Sequence, residues 1–489
     1  MKYIMSIDQG TTSSRAILFD ERGRQCGVSQ REFPQFFPND GWVEQDANEI
    51  WTSTVEVVQE LMKRNALSSG DLIAFGITNQ RETTVVWDRA TGEPLHRAVV
   101  WQDRRTADWC ESQSGSPFAD LVTERTGLLV DPYFSATKLA WILNNEAGLR
   151  ERAKRGEVVF GTIDAYLLFR LTGGKVHLTD ATNASRTMLY DIHRGVWDEQ
   201  ILSTLNIPIE MMPEVCDCAH EFGVTGLFGG AVPIRGMAGD QQAALIGQGC
   251  FTKGDIKSTY GTGCFVIVNT GDDPLRSENR LLSTVAYQLE GHTTYGLEGS
   301  IFVAGAAVQW LRDELGVIKT ATDIERLAKR VPDNGGVHFV PAFTGLGTPH
   351  WNPIARATIS GLSRGTGSAH IARAALEGIA FQVNDVIRAM EADANTSIRE
   401  LRVDGGASEN NLLMQFQSDI LRTKVIRPTV TETTALGAAY LAGLATGIWE
   451  NKAAIKKHWK AARTISPKMK AADRASLLIG WEKAIRNLQ

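Results

Sequence analysis

Hydrophobic and polar positions alternate along this chain with two periods, and the change from one period to the other marks where elements end. The opening reads as strand, turn, strand, turn, strand. Tyr3–Ile7 is a short apolar run, Asp8-Gln9-Gly10-Thr11-Thr12-Ser13-Ser14 a tight polar turn, and Arg15-Ala16-Ile17-Leu18-Phe19-Asp20 the return strand. Glu21-Arg22-Gly23-Arg24 turns again and Gln25–Phe33 is extended, which makes a meander. A similar unit recurs near the middle. Asp255-Ile256-Lys257-Ser258-Thr259 leads into Tyr260-Gly261-Thr262-Gly263, and Cys264–Val268 runs back out. Two such units predict two halves of similar build. Elsewhere the helical period takes over. Ile371, Ala375, Leu376, Ile379, Val383, Val386, Ile387 and Met390 share a face, which predicts a helix over Ile371–Met390. Ala435–Leu444 predicts a helix of small residues suited to close packing on a sheet. Strands alternating with helices predict an α/β protein. The boundary falls near Gly249–Lys253, giving an N-terminal domain over 1–250 and a C-terminal domain over 251–489. No Pro- or Ser-rich linker separates them, so the halves are expected to share an interface.

Length and composition narrow the function classes. At ~100–200 residues per domain, 489 residues predict two to four domains. Apolar residues at 43% and charged residues at 22% are the mix of an ordinary globular protein, not of a disordered or fibrous one. Fifty-one basic against fifty-six acidic residues give a net charge of −5, which leaves no basic excess for wrapping nucleic acid. No apolar run approaches the ~18 residues of a membrane span, and the N-terminus turns polar too soon for a signal peptide. Six scattered cysteines are expected as free thiols in a reducing, cytoplasmic compartment. Cys216-Asp217-Cys218 lacks the second ligand pair that zinc requires.

Five segments carry candidate chemistry. In Asp8–Arg15 the glycine permits a turn whose amides and hydroxyls converge on one anion, an aspartate at the strand end suits Mg²⁺ through water, and an arginine beyond it suits phosphate. The alternative is a plain hairpin with a hydroxyl-rich tip. Thr259–Gly263 has the same chemistry, and two such turns in two domains would clamp one triphosphate. Leu401-Arg402-Val403-Asp404-Gly405-Gly406-Ala407-Ser408-Glu409-Asn410-Asn411 is a strand–Gly-Gly–helix junction, suited to a ligand at the helix amides or to a tight connection alone. In Gly236–Leu245, Asp240 stands where a small-residue loop enters a helix. It reads either as an N-cap or as a carboxylate that takes a proton from a substrate hydroxyl. In Thr78–Thr84, Arg81 and Glu82 point to opposite faces if extended and converge only if the loop bends. Trp101 and Tyr133 read as core or interface aromatics.

These segments, in this order, closely resemble the FGGY carbohydrate kinases. The two family signatures stand as Tyr133-Phe134-Ser135-Ala136-Thr137-Lys138-Leu139-Ala140-Trp141 and as Gly361-Leu362 followed by His370-Ile371-Ala372-Arg373-Ala374-Ala375-Leu376-Glu377. Ile77–Thr84, Gly239–Ala244, Tyr260–Phe265, Gln309-Trp310-Leu311-Arg312-Asp313 and Pro341–Gly347 resemble the glycerol-specific members. The likeness covers nearly the whole chain; Val215–Val232 and the C-terminal tail match poorly. It implies two ribonuclease-H-like domains of the actin and hexokinase type flanking a cleft, the first holding glycerol and the second nucleotide. It implies ATP-dependent phosphorylation of a terminal glycerol hydroxyl to sn-glycerol 3-phosphate, the entry step of glycerol catabolism. By position, Arg81, Glu82, Trp101, Tyr133, Asp240, Gln241 and Phe265 match the glycerol pocket, with Asp240 as catalytic base. Thr11, Thr12, Ser13 and Arg15 match the phosphate-facing turn. Thr262, Gly305, Gln309, Gly406 and Asn410 match the remaining nucleotide positions. Asp8, with Asp240, matches the Mg²⁺ side.

The same resemblance implies a dimer or tetramer, while the lack of a long apolar run predicts no membrane insertion. The resemblance also exposes departures. Some members bind fructose 1,6-bisphosphate on a Gly-Gly-Thr-Arg loop, whereas the aligned run here is Phe228-Gly229-Gly230-Ala231, without the arginine. Gly226 stands where other members carry a phosphorylatable histidine, and nearby His220 does not align. Ser466–Asp473 lacks the Pro-Gly-Ile-Glu pattern that meets the phosphotransferase-system regulator. Neither control is therefore expected. A kinase of another small polyol or ketose is the nearest rival reading. An actin- or chaperone-type ATPase is the rival from another class, because fold alone does not separate them.

Overall fold

The computed structural model describes residues 2–352 and 354–488. Two large mixed sheets organise it. The first contains β1 (Tyr3–Gln9), β2 (Ser13–Asp20), β3 (Gln25–Glu32), β4 (Leu72–Asn79), β5 (Ala219–Thr225) and β6 (Val232–Gly239), in the spatial order β5-β6-β4-β1-β2-β3. The second contains β7 (Ile256–Tyr260), β8 (Cys264–Gly271), β9 (Leu282–Leu289), β10 (His292–Ile301), β11 (Glu400–Asp404), β12 (Lys424–Pro428) and β13 (Ala461–Ile465). Its order is β9-β10-β8-β7-β11-β12-β13.

The two sheets share a plan. In the first, β1 pairs antiparallel with β2 and parallel with β4, and β4 pairs parallel with β6. In the second, β7 pairs antiparallel with β8 and parallel with β11, and β11 pairs parallel with β12. The two strand–Gly/Thr–strand units therefore occupy equivalent places, as the recurrence in the sequence led one to expect. Parallel neighbours also fix where the chemistry gathers. Asn79 is level with both Gln9 and Gly239, so the chain leaves β1, β4 and β6 side by side at Gly10, Gln80 and Asp240. Thr259 is level with Asp404, so the turns after β7 and β11 emerge together. Ligand sites in such sheets form at these carboxyl ends, where side chains and helix amides converge.

Helices α1 (Ala47–Arg64), α2 (Asp240–Gly247), α3 (Ser368–Asp393) and α4 (Thr433–Ala445) cover the sheets. The α3 helix extends the predicted one at both ends. Its apolar face, with Ile379, Val383 and Val386, shares a core with Val266 and Leu297 of the second sheet. The small residues of α4 are explained by what it touches. A Cβ at Gly437 would lie 1.8 Å from the Ala243 carbonyl oxygen of α2, and one at Gly76 of β4 would lie 2.3 Å from that of Ala438. No side chain fits those crossings. A helix late in the chain thus packs on the first sheet, and Ile4, Phe19 and Ala74 share one core with Ala435, Tyr440 and Trp449. Among the described residues no helix is long and apolar enough to cross a membrane.

Candidate active site

The loop after β4 bends where the sequence needed it to. Glu82 has φ 61°, and the Thr83 amide donates to the Arg81 carbonyl at 2.7 Å, a three-residue turn. Positive φ is strained for a residue with a side chain, by about 1–3 kcal/mol, and survives only when surroundings over-determine it. Here both side chains are anchored by charge. The Glu82 carboxylate accepts from Arg186 Nε at 2.7 Å and lies 3.9 Å from Arg81 Nε. The bend turns two adjacent residues toward one place.

Around Arg81 the structure assembles every residue expected to hold glycerol. Its Nε lies 3.1 Å from Asp240 Oδ1, Nη2 lies 3.4 Å from the Tyr133 hydroxyl, and the guanidinium sits 6.0 Å from the centre of the Phe265 ring. Trp101 meets Tyr133 and Phe265 edge-on, with ring centres 5.7 and 6.2 Å apart. Gln241 Nε2 donates to Asp240 Oδ2 at 3.2 Å. Donors, carboxylates and an apolar aromatic wall thus surround one spot. The Tyr133 segment is held by Lys138, whose buried ammonium donates to the carbonyls of Pro132, Tyr133 and Phe134 at 2.5–2.8 Å. Burial pulls the Lys138 pKa down to about 8.

Asp240 is the first residue of α2, and Gly239 occupies the cap. The N-cap reading therefore does not apply: among backbone amides, Asp240 Oδ1 accepts only that of its neighbour Gln241, at 2.7 Å. About a third of its side chain, 32%, stays open to solvent. Burial raises its pKa and the Arg81 charge opposes the rise. A carboxylate shifted this way is a stronger base than a surface aspartate.

Three charged residues not singled out in the sequence complete the cluster. Glu298 of β10, wholly buried, accepts from Arg81 Nη1 at 2.5 Å and from Arg186 Nη2 at 3.0 Å. Burial alone would raise its pKa; the two guanidiniums overcome this and hold it at about 2. Arg186 is itself fully buried. Lys257 of β7 donates to Gln241 Oε1 and, at 2.9 Å, to Thr259 Oγ1. One signal was available: each is a lone charge in a strand or helix-end segment of otherwise apolar or small residues, and such residues are almost never buried unpaired. The partners of Glu298 and Arg186 lie too far along the chain to be read locally; Arg81 and Glu298 are separated by 217 positions.

The expected nucleotide residues form two groups. On the first hairpin, Trp101 Nε1 donates to Thr11 Oγ1 at 2.9 Å, which ties the aromatic wall beside Arg81 to the turn after β1. Thr12 is exposed, and Ser13 Oγ accepts from Gln30 at 3.0 Å. Arg15 bridges Asp8 and Glu432, the latter at 2.7 Å, so its charge is shared between the first sheet and the start of α4. Burial raises the Asp8 pKa against the pull of Arg15. On the second sheet the Gly305 amide donates to Gly261 at 2.9 Å, and those of Ala304 and Ala306 donate to Thr262 at 2.8 and 3.1 Å. A Cβ at Gly305 would lie 2.6 Å from the Gly261 carbonyl oxygen. Gln309 lies one helical turn further on, exposed. Gly406 follows Gly405, whose φ of 82° and tight fit against the Tyr260 backbone press that turn onto the second hairpin. Asn410 caps the following helix, its Oδ1 accepting from Leu413 at 3.0 Å, which leaves its amide NH₂.

Comparison with known proteins agrees with this geometry. The chain is 54% identical over 486 residues to the glycerol kinase of Deinococcus radiodurans, covering 99% of this chain and 97% of that one. It is 56% identical over 487 residues to the glycerol kinase of Alcanivorax borkumensis, with 99% and 98% covered. Its fold superposes on a crystal structure of Plasmodium falciparum glycerol kinase with ADP at TM-score 0.92 and 36% identity, covering 100% of this chain and 98% of that one. A xylulose kinase from Lactobacillus acidophilus shares the fold at TM-score 0.88 and 22% identity, over 100% and 98% of the two chains. Residues 3–247 match the N-terminal domain and residues 256–446 the C-terminal domain that define one family. The chain belongs to the FGGY family of carbohydrate kinases.

Proposed function

We propose that this protein transfers the terminal phosphoryl group of ATP to a primary hydroxyl of glycerol, giving sn-glycerol 3-phosphate. The observation that carries the reading is the convergence of Arg81, Asp240, Tyr133, Trp101 and Phe265, drawn from both halves of the chain, on one small spot. A triol needs donors and acceptors for three hydroxyls and an apolar wall for its C–H edge. Arg81, Gln241 and Tyr133 supply donors, Glu82 and Asp240 acceptors, and Trp101 with Phe265 the wall. The near-identity in length and 53–56% identity to proteins named glycerol kinases supports the same substrate.

Asp240 orients the attacking hydroxyl and accepts its proton. A modest base suffices, because positioning and electrostatics supply most of the acceleration in phosphoryl transfer. The Gly10–Ser13 and Gly261–Gly263 turns direct amides and hydroxyls at the phosphates, and Arg15 adds positive charge beside them. Thr262, Gly305, Gln309, Gly406 and Asn410 hold the rest of the nucleotide. Closure of the cleft excludes water, which would otherwise compete as acceptor.

Mg²⁺ fits this donor set as an ion carried by the nucleotide. Among the described residues no group of three or more His, Cys, Asp or Glu side chains is placed to cage a metal. Mg²⁺ needs none, since one or two carboxylates with water and substrate phosphates suffice. Asp8 and Asp240 would hold it, and it would neutralise charge developing on the phosphates. The loop Phe228–Ala231 offers no cation, so control by fructose 1,6-bisphosphate at that loop is absent in this reading, as is phosphotransferase-system control. A cytoplasmic dimer or tetramer completes it.

The deciding measurement is coupled ADP release with and without glycerol. Release that depends on glycerol is expected. Strong preference for a pentulose or tetritol would move the substrate assignment to another member of the family. Full-rate release without any polyol would favour an actin- or chaperone-type ATPase.

A further inference from the structure

At the end of α2 remote from Asp240, around Gly247, the structure contains a second cavity of about 380 Å³. Its walls come from both halves of the chain: the β2–β3 turn, the C-terminal end of α2, the first half of α4, and the segment 457–460, which runs from the last turn of the helix Lys452–His458 to the start of β13. Arg22, Arg24, Lys457 and Lys460 line it, and no Asp or Glu does. This occurs in a chain whose net charge is −5. The β2–β3 turn is rigid, because the Asp20 carboxylate accepts from the amides of Arg22 and Arg24, both at 2.9 Å, and pairs with the Arg24 guanidinium at 2.7 Å. Arg22, Lys457 and Lys460 have no acidic partner among the described residues. Unpaired like charges around one concavity repel one another, and an anion placed among them removes that cost. The buried Tyr440 and Leu436 form an apolar part of the wall.

We propose that this cavity binds a compact phosphate-bearing anion of two or more charges, at a site distinct from the catalytic cleft. A route leads from it to that cleft. Trp459, which lines the cavity, donates from Nε1 to Gln248 Oε1 at 3.1 Å, and Gln248 Nε2 donates to Asp404 Oδ2 at 2.7 Å. Asp404 immediately precedes the Gly405-Gly406 turn assigned to nucleotide. Arg402 braces the same link, stacking 4.5 Å from the Trp459 ring and donating to the Gln248 carbonyl at 2.6 Å. An occupant that draws segment 457–460 toward the β2–β3 turn moves Trp459, and through Gln248 the nucleotide turn. This coupling rests on the nucleotide assignment above; the binding itself does not.

The test titrates pyrophosphate into the full-length protein by calorimetry, with and without saturating ADP, for wild type and for Lys457→Ala/Lys460→Ala. ADP occupies the catalytic phosphate turns, so binding that persists beside it reports on the second cavity. Wild type is expected to bind pyrophosphate in the presence of ADP, more weakly as salt rises. The double variant should bind it roughly tenfold or more weakly, the scale of losing charge-assisted contacts, while its ADP affinity and its turnover without pyrophosphate stay at the wild-type level. Arg22→Gln, on the opposite wall, should reproduce the loss if the double variant does not fold. Equal binding by wild type and variants, or no binding to the ADP-saturated protein, would overturn the proposal. Pyrophosphate that binds the wild type at this cavity without changing its ADP affinity would overturn the coupling. If the protein fails to release ADP with glycerol, the ADP-free titration still decides the assignment: pyrophosphate binding weakened in the Lys457/Lys460 and Arg22 variants supports it, and equal binding overturns it.

Discussion

The guanidinium of Arg81 and the carboxylate of Asp240 stand 3.1 Å apart, Nε to Oδ1, although they leave two different strands of the first sheet. The pairing sets the base strength of Asp240: burial raises its pKa and Arg81 limits the rise. Asp240→Asn keeps the shape and removes the proton acceptor. Turnover should fall roughly 10²-fold or more, the scale of general-base catalysis, while ADP still binds. In the unaltered enzyme kcat should fall in acid as Asp240 protonates, with a midpoint above the ordinary value of 3.8. Near-normal turnover of the variant would leave Asp240 without the assigned role.

Arg81→Ala removes a donor from the glycerol pocket and leaves Glu298 with one guanidinium instead of two. The glycerol KM should rise tenfold or more while the ATP KM changes little. Unfolding in denaturant should show a loss on the order of 3–5 kcal/mol, the usual consequence of breaking a buried pair from one side. An unchanged glycerol KM would take Arg81 out of the pocket.

Glu298 links the sheets through its contacts with Arg81 and Arg186, and its pKa of about 2 lies below its ordinary 4.5. A carboxylate depressed on folding contributes stability that is fully present above its unfolded pKa and is lost as pH falls through the folded one. Denaturant midpoints should therefore drop between about pH 4.5 and pH 2. Glu298→Gln should be less stable at neutral pH and lack that part of the acid dependence. Identical acid profiles for the two proteins would refute it.

Lys138 touches no substrate in this reading; it positions Tyr133 by binding three successive carbonyls. Lys138→Met keeps the bulk and strands those carbonyls. A raised glycerol KM with a smaller change in kcat is expected, together with a lowered Tm. A lowered Tm with the glycerol KM unchanged would restrict Lys138 to stability.

Local order set much of this protein. The apolar runs flanking Gly10–Thr12 and Gly261–Gly263 dictate two hairpins whatever surrounds them, because glycine turns between alternating strands are decided within about ten residues. The spacing from Ile371 to Met390 likewise dictates α3, and the family resemblance of the segments around Arg81–Glu82, Tyr133, Asp240 and Phe265 named candidates for one pocket. Tertiary structure decided what those residues became. Arg81 and Glu82 converge only because distant Arg186 and Glu298 hold a left-handed turn at Glu82. Asp240 is free of capping because parallel pairing of β6 with β4 ends the strand at Gly239 and gives that glycine the cap. Buried charge is the physical reason for the division. An ion can leave water only with a partner in place, and the partners here are brought together by sheets and a late helix, not by neighbours in the chain.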